Sequence, residues 1–348
     1  MSHRPKIALI LILALNTLFG SLSAQRLTYG STKIQRVTLA YSYIYIIHKD
    51  LDDMKAHFPA LHKSIEHTDS VLNTHYGAAI DSVHQFIHRL ATQKIIDSLH
   101  QNLDRVFLKQ LDASRTTGVF TLETAGQYLN LLDSSIINGL FPSPIQETLL
   151  FYQYATHPEK ECTDSYYTLF TMNHLPGLKN GMLQFKIPQS WKLEDSTRQG
   201  IARSFSSDYA QGQQACELLF IKIPLPGIRP LTDSATQADI NYFLQEIHFK
   251  KIITDKSTLL CAKKILLGNK IGIRACFEHP ISYHDIHSKT SNIMYLFNIT
   301  GNILCAINCS VYLGEFNEAP EAEIKRFQPL FDLMAKSITI YGTEQVEE

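Results

Sequence analysis

Between Glu278 and His287 the sequence reads EHPISYHDIH, which sets His279, His284, Asp285 and His287 within nine residues. Three imidazoles and a carboxylate suit a hydrolytic metal site, in which the ion activates a bound water. The simpler reading is a polar loop at a strand end with a chance density of histidine. A second pair, His84 and His88, stands one helical turn apart, the spacing that lets two imidazoles share a metal. The intervening residues are Gln85, Phe86 and Ile87, so the glutamate of a zinc-protease helix is missing. The pair borders an apolar stripe of Ile80, Val83 and Ile87, as ordinary surface histidines do. No Gly-x-Ser-x-Gly elbow, phosphate-cradling loop or dinucleotide fingerprint occurs, and Ser190 has no flanking glycines. Fifteen histidines without a recognisable base, nucleophile and oxyanion set favour a protein that is not an enzyme and needs no cofactor.

The cysteines speak to redox state. In CAKKILLGNKIGIRAC, Cys261 and Cys276 lie symmetrically about Gly268-Asn269, a dipeptide suited to a two-residue hairpin turn. In that register the two cysteines oppose each other, with Cα atoms roughly 4.5 to 5.5 Å apart, within disulfide range. The expectation is a disulfide, although the same register sets Lys263 opposite Arg274, which costs a little. Cys305 and Cys309 share one strand face but lie about 13 Å apart along it, too far to bond each other. The pairing of Cys162, Cys216, Cys305 and Cys309 stays open, since six cysteines allow 15 connectivities.

An oxidising compartment is expected from the first residues. Arg4 and Lys6 precede an apolar run from Ile7 to Leu15 and small residues at Ser21, Ser23 and Ala24, the build of a secretory signal peptide spanning residues 1–24. The run falls short of a membrane span, so the mature chain is expected to be soluble, exported to the periplasm or cell exterior, and without a transmembrane segment. Losing Arg4 and Lys6 moves the formal charge from −1 to −3, with both signs mixed along the chain, which gives no electrostatic support for nucleic acid as a partner.

Two domains must position these groups. All six cysteines lie from Cys162 onward, while residues 25–157 carry helical periodicity. Val37, Tyr41, Ile44, Ile47, Leu51, Met54 and Phe58 recur at steps of three and four for about seven turns, which outweighs the β-branched character of VTLAYSYIYII. A helical bundle is expected there. From residue 165 to 342 the pattern changes to strands: GMLQFKIPQSW alternates, ACELLFIKIP is more buried, and four apolar runs follow at 258–267, 270–279, 291–299 and 303–312. Helices are expected through Ile240 to Ile247 and Ile324 to Met334, the latter containing Pro329, with SITIY finishing the sheet. The fold class is therefore α+β, a helical bundle followed by an antiparallel-sheet α/β sandwich.

The segments FKIPQSW, ILLGNKIGIRACF and a last helix running into KSITI make residues 165–342 resemble the PsbP-like fold of photosystem II extrinsic subunits. A Ran-binding import factor and bacterial effector-chaperone proteins share that fold. The resemblance implies a binding or accessory module, carries over no catalytic residues, and lacks a counterpart of the family's acidic partner-contacting surface. Trp191, the only tryptophan, is then a core anchor, with ligand stacking as its functional alternative. The expected function is an exported binding or accessory protein whose partner is an envelope protein or a small ligand. The alternative is a metal-dependent hydrolase built on His279, His284, Asp285 and His287.

Overall fold

The computed structural model describes residues 29–116, 120–194, 200–207, 213–222, 231–232, 234–254, 256–283, 286–300, 303–311 and 320–344. The signal-like segment, Gly301-Asn302 and the His284-Asp285 pair lie outside the described residues. Two compact units divide the chain, Met1–Gln153 and Tyr154–Glu348.

The first unit is helical: α1 Tyr29–His57, a 3-10 turn at Pro59–Leu61, α2 His62–Leu90, α3 Gln93–Thr116, α4 Leu122–Ile137 and α5 Ser143–Gln153. The β-branched run in α1 is helical because its stripe is what becomes buried: Val37, Ala40, Tyr41, Ile44, Ile47, Leu51 and Met54 all lie in the core. Helix α4 begins at a reciprocal cap in which the Thr121 hydroxyl accepts from Thr124 N and the Thr124 hydroxyl accepts from Thr121 N. Tyr76, fully buried on α2, shares hydrogen bonds with Gln146 of α5, so that buried polar pair is satisfied.

The second unit holds two antiparallel sheets. Its elements are α6 Glu159–Thr163, β1 Tyr167–Asn173, β2 Leu178–Pro188, β3 Lys192–Glu194, β4 Ile201–Ser206, β5 Gln214–Lys222, α7 Gln237–Glu246, α8 Phe249–Ile253, β6 Thr258–Leu267, β7 Lys270–Tyr283, β8 Ile286–Thr300, β9 Ile303–Val311, α9 Pro320–Lys336 and β10 Thr339–Glu344. The α+β class expected from the sequence is what the structure has. Strand order is β3-β4-β5-β9-β8-β7-β6 in the larger sheet and β1-β2-β10 in the smaller. SITIY therefore does not finish the main sheet; it pairs with β2 and closes a separate one.

Alternation decides the layers. One face of the large sheet presents Ile273, Ala275, Phe277, Met294, Leu296, Leu304 and Ala306 to α7 and α8, which supply Ile240, Phe243, Leu244, Phe249 and Ile253. Ile293, Tyr295, Phe297, Cys305, Ile307 and Cys309, the alternate residues, are buried on the other face. There α9 packs on β8 and β9, and Phe170, Phe185 and Phe205 form an edge-to-face triangle at 4.9 to 5.6 Å that joins the two sheets. Pro329 sits inside α9 without ending it.

The β6–β7 hairpin has the two-residue turn read from the sequence, with Leu267 opposite Lys270 and Cys261 opposite Cys276. Gly268 has φ +57°, and a Cβ there would stand 2.1 Å from the Ile338 carbonyl oxygen. The turn thus needs glycine twice, for its backbone and for its approach to the chain leading into β10.

Candidate functional site

A groove of about 770 Å³ opens in the second unit between α6, the start of β1, β2 and the C-terminal half of α9. Helix α9 contributes Gln328, Pro329, Asp332, Leu333 and Lys336, which recur at helical spacing along one face. Cys162 and Thr163 come from α6, Ser165 from the turn after it, Tyr167 from β1 and Lys186 from β2. The turn closes α6 with Tyr166 N–H donating to the Glu161 carbonyl, and Ser165 takes φ +74° there, a left-handed position usually given to glycine. Ser337 fastens the other wall: its hydroxyl donates to the Met334 carbonyl and accepts from Lys186 N–H at 2.9 Å.

Charge in the groove is uneven. Asp332 is engaged from beneath, accepting from Arg274 Nη1 at 2.9 and 3.2 Å and from the Tyr295 hydroxyl at 2.7 Å. Arg274 is itself buried on β7, so its charge and that of Asp332 compensate each other. This ion pair also relieves the like-charge register of Lys263 and Arg274. Lys186 and Lys336 remain as the cationic groups lining the groove, Lys186 with its Nζ 4.1 Å from the centre of the Tyr167 ring. Burial pushes the Cys162 thiol up to about 12, with neighbouring Glu161 adding to the effect, so it is no nucleophile at neutral pH.

Behind the groove, Glu161 is fully enclosed. Ser190 N–H donates to its Oε1 at 2.7 Å and the Ser190 hydroxyl to its Oε2 at 2.8 Å. Burial outweighs these hydrogen bonds and pushes the carboxyl up to about 8. Ser190 is thus the partner of a buried carboxyl, and Trp191 beside it stands edge-on to Phe331 of α9 at 6.2 Å, buried in the core rather than lining the groove. Of its two expected roles, the anchor is the one its packing fits.

The other sequence candidates fall elsewhere. His279, on β7, has Nδ1 3.1 Å from the Ser257 hydroxyl and 3.3 Å from that of Thr254. His287 opposes Ser282 on the β7–β8 ladder while His279 opposes Thr290, three rows or roughly 10 Å away. His284 and Asp285 lie outside the described residues. Cys261 and Cys276 are opposed as expected, but their sulfurs are not bonded in this structure: opposed positions in a ladder set the Cα spacing and leave the sulfurs to side-chain rotation. Among the described residues no three metal-ligating side chains are arranged to hold an ion. His84 and His88 instead stack at 4.3 Å, His84 also packs on Tyr41, and Tyr41 bonds His100 Nε2 at 2.7 Å. Partial burial, then the neighbouring His88 and His100, lower the pKa of His84.

The groove itself escapes sequence reading. A usable signal is present, since Asp332 interrupts the apolar stripe of Phe327, Phe331 and Met334, and Arg274 interrupts an otherwise apolar strand. Two charges of opposite sign at core positions ask for each other.

No protein-family model matches the chain, and no curated protein does, so the PsbP-like resemblance gains no support from a family match. Among the solved structures that align with it are the following two. LpqN of Mycobacterium tuberculosis, described as involved in cell envelope biogenesis, is 12% identical at a TM-score of 0.31, covering 51% of this chain and 93% of LpqN. A protein of Bacteroides thetaiotaomicron VPI-5482 is 12% identical at a TM-score of 0.25, covering 47% of this chain and 46% of that one. At those scores neither alignment carries a fold family or a role to this chain.

Proposed function

We propose that the chain is an exported binding or accessory protein without catalytic activity, and that its groove beside α9 holds a small anionic organic ligand. The observation that carries this is the groove's make-up: about 770 Å³ falls within the usual size of ligand sites, and two lysines face it while its one carboxylate is neutralised by Arg274. Hydroxyls at Ser165 and Tyr167 supply hydrogen bonds, those of Thr163 and Ser337 already donating to the Lys160 and Met334 carbonyls, and Leu333 and Pro329 supply an apolar wall. The signal-like residues 1–24 support export. The same proposal takes residues 25–157 and 165–342 as separately folding domains, the second PsbP-like.

The test is a thermal-shift and calorimetric screen of mono- and dicarboxylates, fatty acids and phosphorylated sugars against the native protein and the Lys186→Glu/Lys336→Glu variant. An anionic ligand that binds the native groove and loses at least tenfold affinity in the variant supports the reading, and equal affinity overturns it. Envelope-fraction pull-down tests a protein partner in its place. The hydrolase alternative requires His279 to leave Ser257 and Thr254; stoichiometric zinc in the purified protein, lost in His279→Ala, would establish that alternative.

A further inference from the structure

The registers of the large sheet place four of the six cysteines in one transverse row. Cys261 of β6 opposes Cys276 of β7, Cys276 opposes Ile293 of β8, Ile293 opposes Cys309 of β9, and Cys309 opposes Cys216 of β5. Of the 15 connectivities open to six cysteines, the row singles out two directly opposed pairs. Opposed residues of an antiparallel ladder have Cα atoms roughly 4.5 to 5.5 Å apart, a spacing a disulfide can span. Within each pair the neighbouring thiol is among the causes that raise the partner's pKa, which puts the two sulfurs near each other without a bond between them. Closing either bond therefore asks for side-chain rotation and not for backbone movement. Cys305 opposes Phe220, and Cys162 belongs to α6, so neither meets a cysteine across a ladder.

We propose that Cys216 and Cys309 form a second cross-strand disulfide, enclosed under α9, in the same row as a bridge between Cys261 and Cys276, and that Cys162 and Cys305 stay thiols. The two couples differ in access. Cys216 and Cys309 are 0% exposed, whereas Cys261 is exposed and Cys276 half-buried. A disulfide oxidant reaches the inner pair only before α9 covers it, and the edge pair also afterwards. Each bridge forms by two exchanges: a protein thiolate attacks the oxidant's disulfide and releases one oxidant thiol, then its neighbour displaces the second. Two protein thiols lose two electrons and two protons, and the oxidant's disulfide becomes two thiols. If α9 docks first, both thiols are closed off from the oxidant by burial, and the inner pair is inert.

The test uses the mature chain and oxidised glutathione. The reduced, denatured protein is refolded with the oxidant, alkylated, and mapped without reduction. Expected are linked peptides for Cys216–Cys309 and Cys261–Cys276, four glutathione thiols released per chain, and alkylation at Cys162 and Cys305. Adding the oxidant after reductive refolding should release two thiols and form the edge bridge alone. A Cys261→Ser/Cys276→Ser variant refolded oxidatively isolates the inner pair and should release two. Alkylated Cys216 and Cys309 after oxidative refolding, either of them linked to Cys305 or Cys162, or no thiol released by that variant, overturns the proposal. Mapping the protein as purified from an oxidising compartment decides the same point without refolding.

Discussion

Replacing Glu161 by glutamine should remove a pH dependence from the second unit. The carboxyl is raised from an ordinary 4.5 to about 8 by burial, against the two hydrogen bonds from Ser190. Between those values the folded chain holds a proton that the unfolded chain releases, so stability must fall as pH rises from about 4.5 to about 8 and change little from this group outside that window. At roughly 1.4 kcal/mol per pKa unit the loss amounts to on the order of a few kcal/mol. The glutamine would be neutral throughout, with an oxygen to accept from Ser190 N–H. Trp191, the only tryptophan, adjoins Ser190 and packs on Phe331, so its fluorescence reports unfolding of this unit and not of the helical one. Denaturant titrations at about pH 4, 6.5 and 8.5, which bracket the window, should show the native midpoint falling relative to that of Glu161→Gln as the pH rises. A constant difference across that range would refute the reasoning, because the buried carboxyl would then be ionised throughout.

Asp332→Asn strands Arg274 in the core with reduced compensation and should cost about 3 to 5 kcal/mol, read from the same fluorescence; Arg274→Met with Asp332→Leu should recover much of it. Gly268→Ala forces a left-handed alanine at about 1 to 2 kcal/mol and sets its Cβ against the Ile338 carbonyl, so its denaturation midpoint should drop by more than that of Gly200→Ala, where the backbone is also left-handed but space is open. Reducing an oxidatively folded chain should lower its midpoint further than reducing a Cys216→Ala/Cys309→Ala variant, the long loop between those cysteines being worth about 4 to 5 kcal/mol on a chain-entropy estimate.

The β6–β7 hairpin is legible because a two-residue turn fixes its register locally: once Gly268-Asn269 is recognised, Cys261 must face Cys276. The partner of Cys216 is not legible, because β5 meets β9 only after a long intervening stretch that includes two helices and three strands, and nothing local encodes that neighbour. Strand β1 gives no sequence signal since YTLFTMN is mostly exposed and lacks an apolar alternation. Helix α1 does, because seven turns of periodicity are a longer signal than a β-branched run. The groove depends on α6, β1, β2 and α9 converging, so its lysines and hydroxyls look like unrelated surface residues until the chain is folded.

The small sheet has a consequence for when the protein can fold. Its middle strand, β2, borders β1 on one side, only a short turn away, and β10 on the other, the last strand of the chain. A chain threaded N-terminus first carries β2 with one edge unpaired until Thr339–Glu344 arrives, and the hairpin tip at Gly268 meets Ile338 only at that moment as well. Loop closure over such a span is slow. The helical unit can complete itself from local contacts, while the second unit stays open until its last strand has been delivered. That delay gives an oxidant time to reach Cys216 and Cys309 while they are still uncovered.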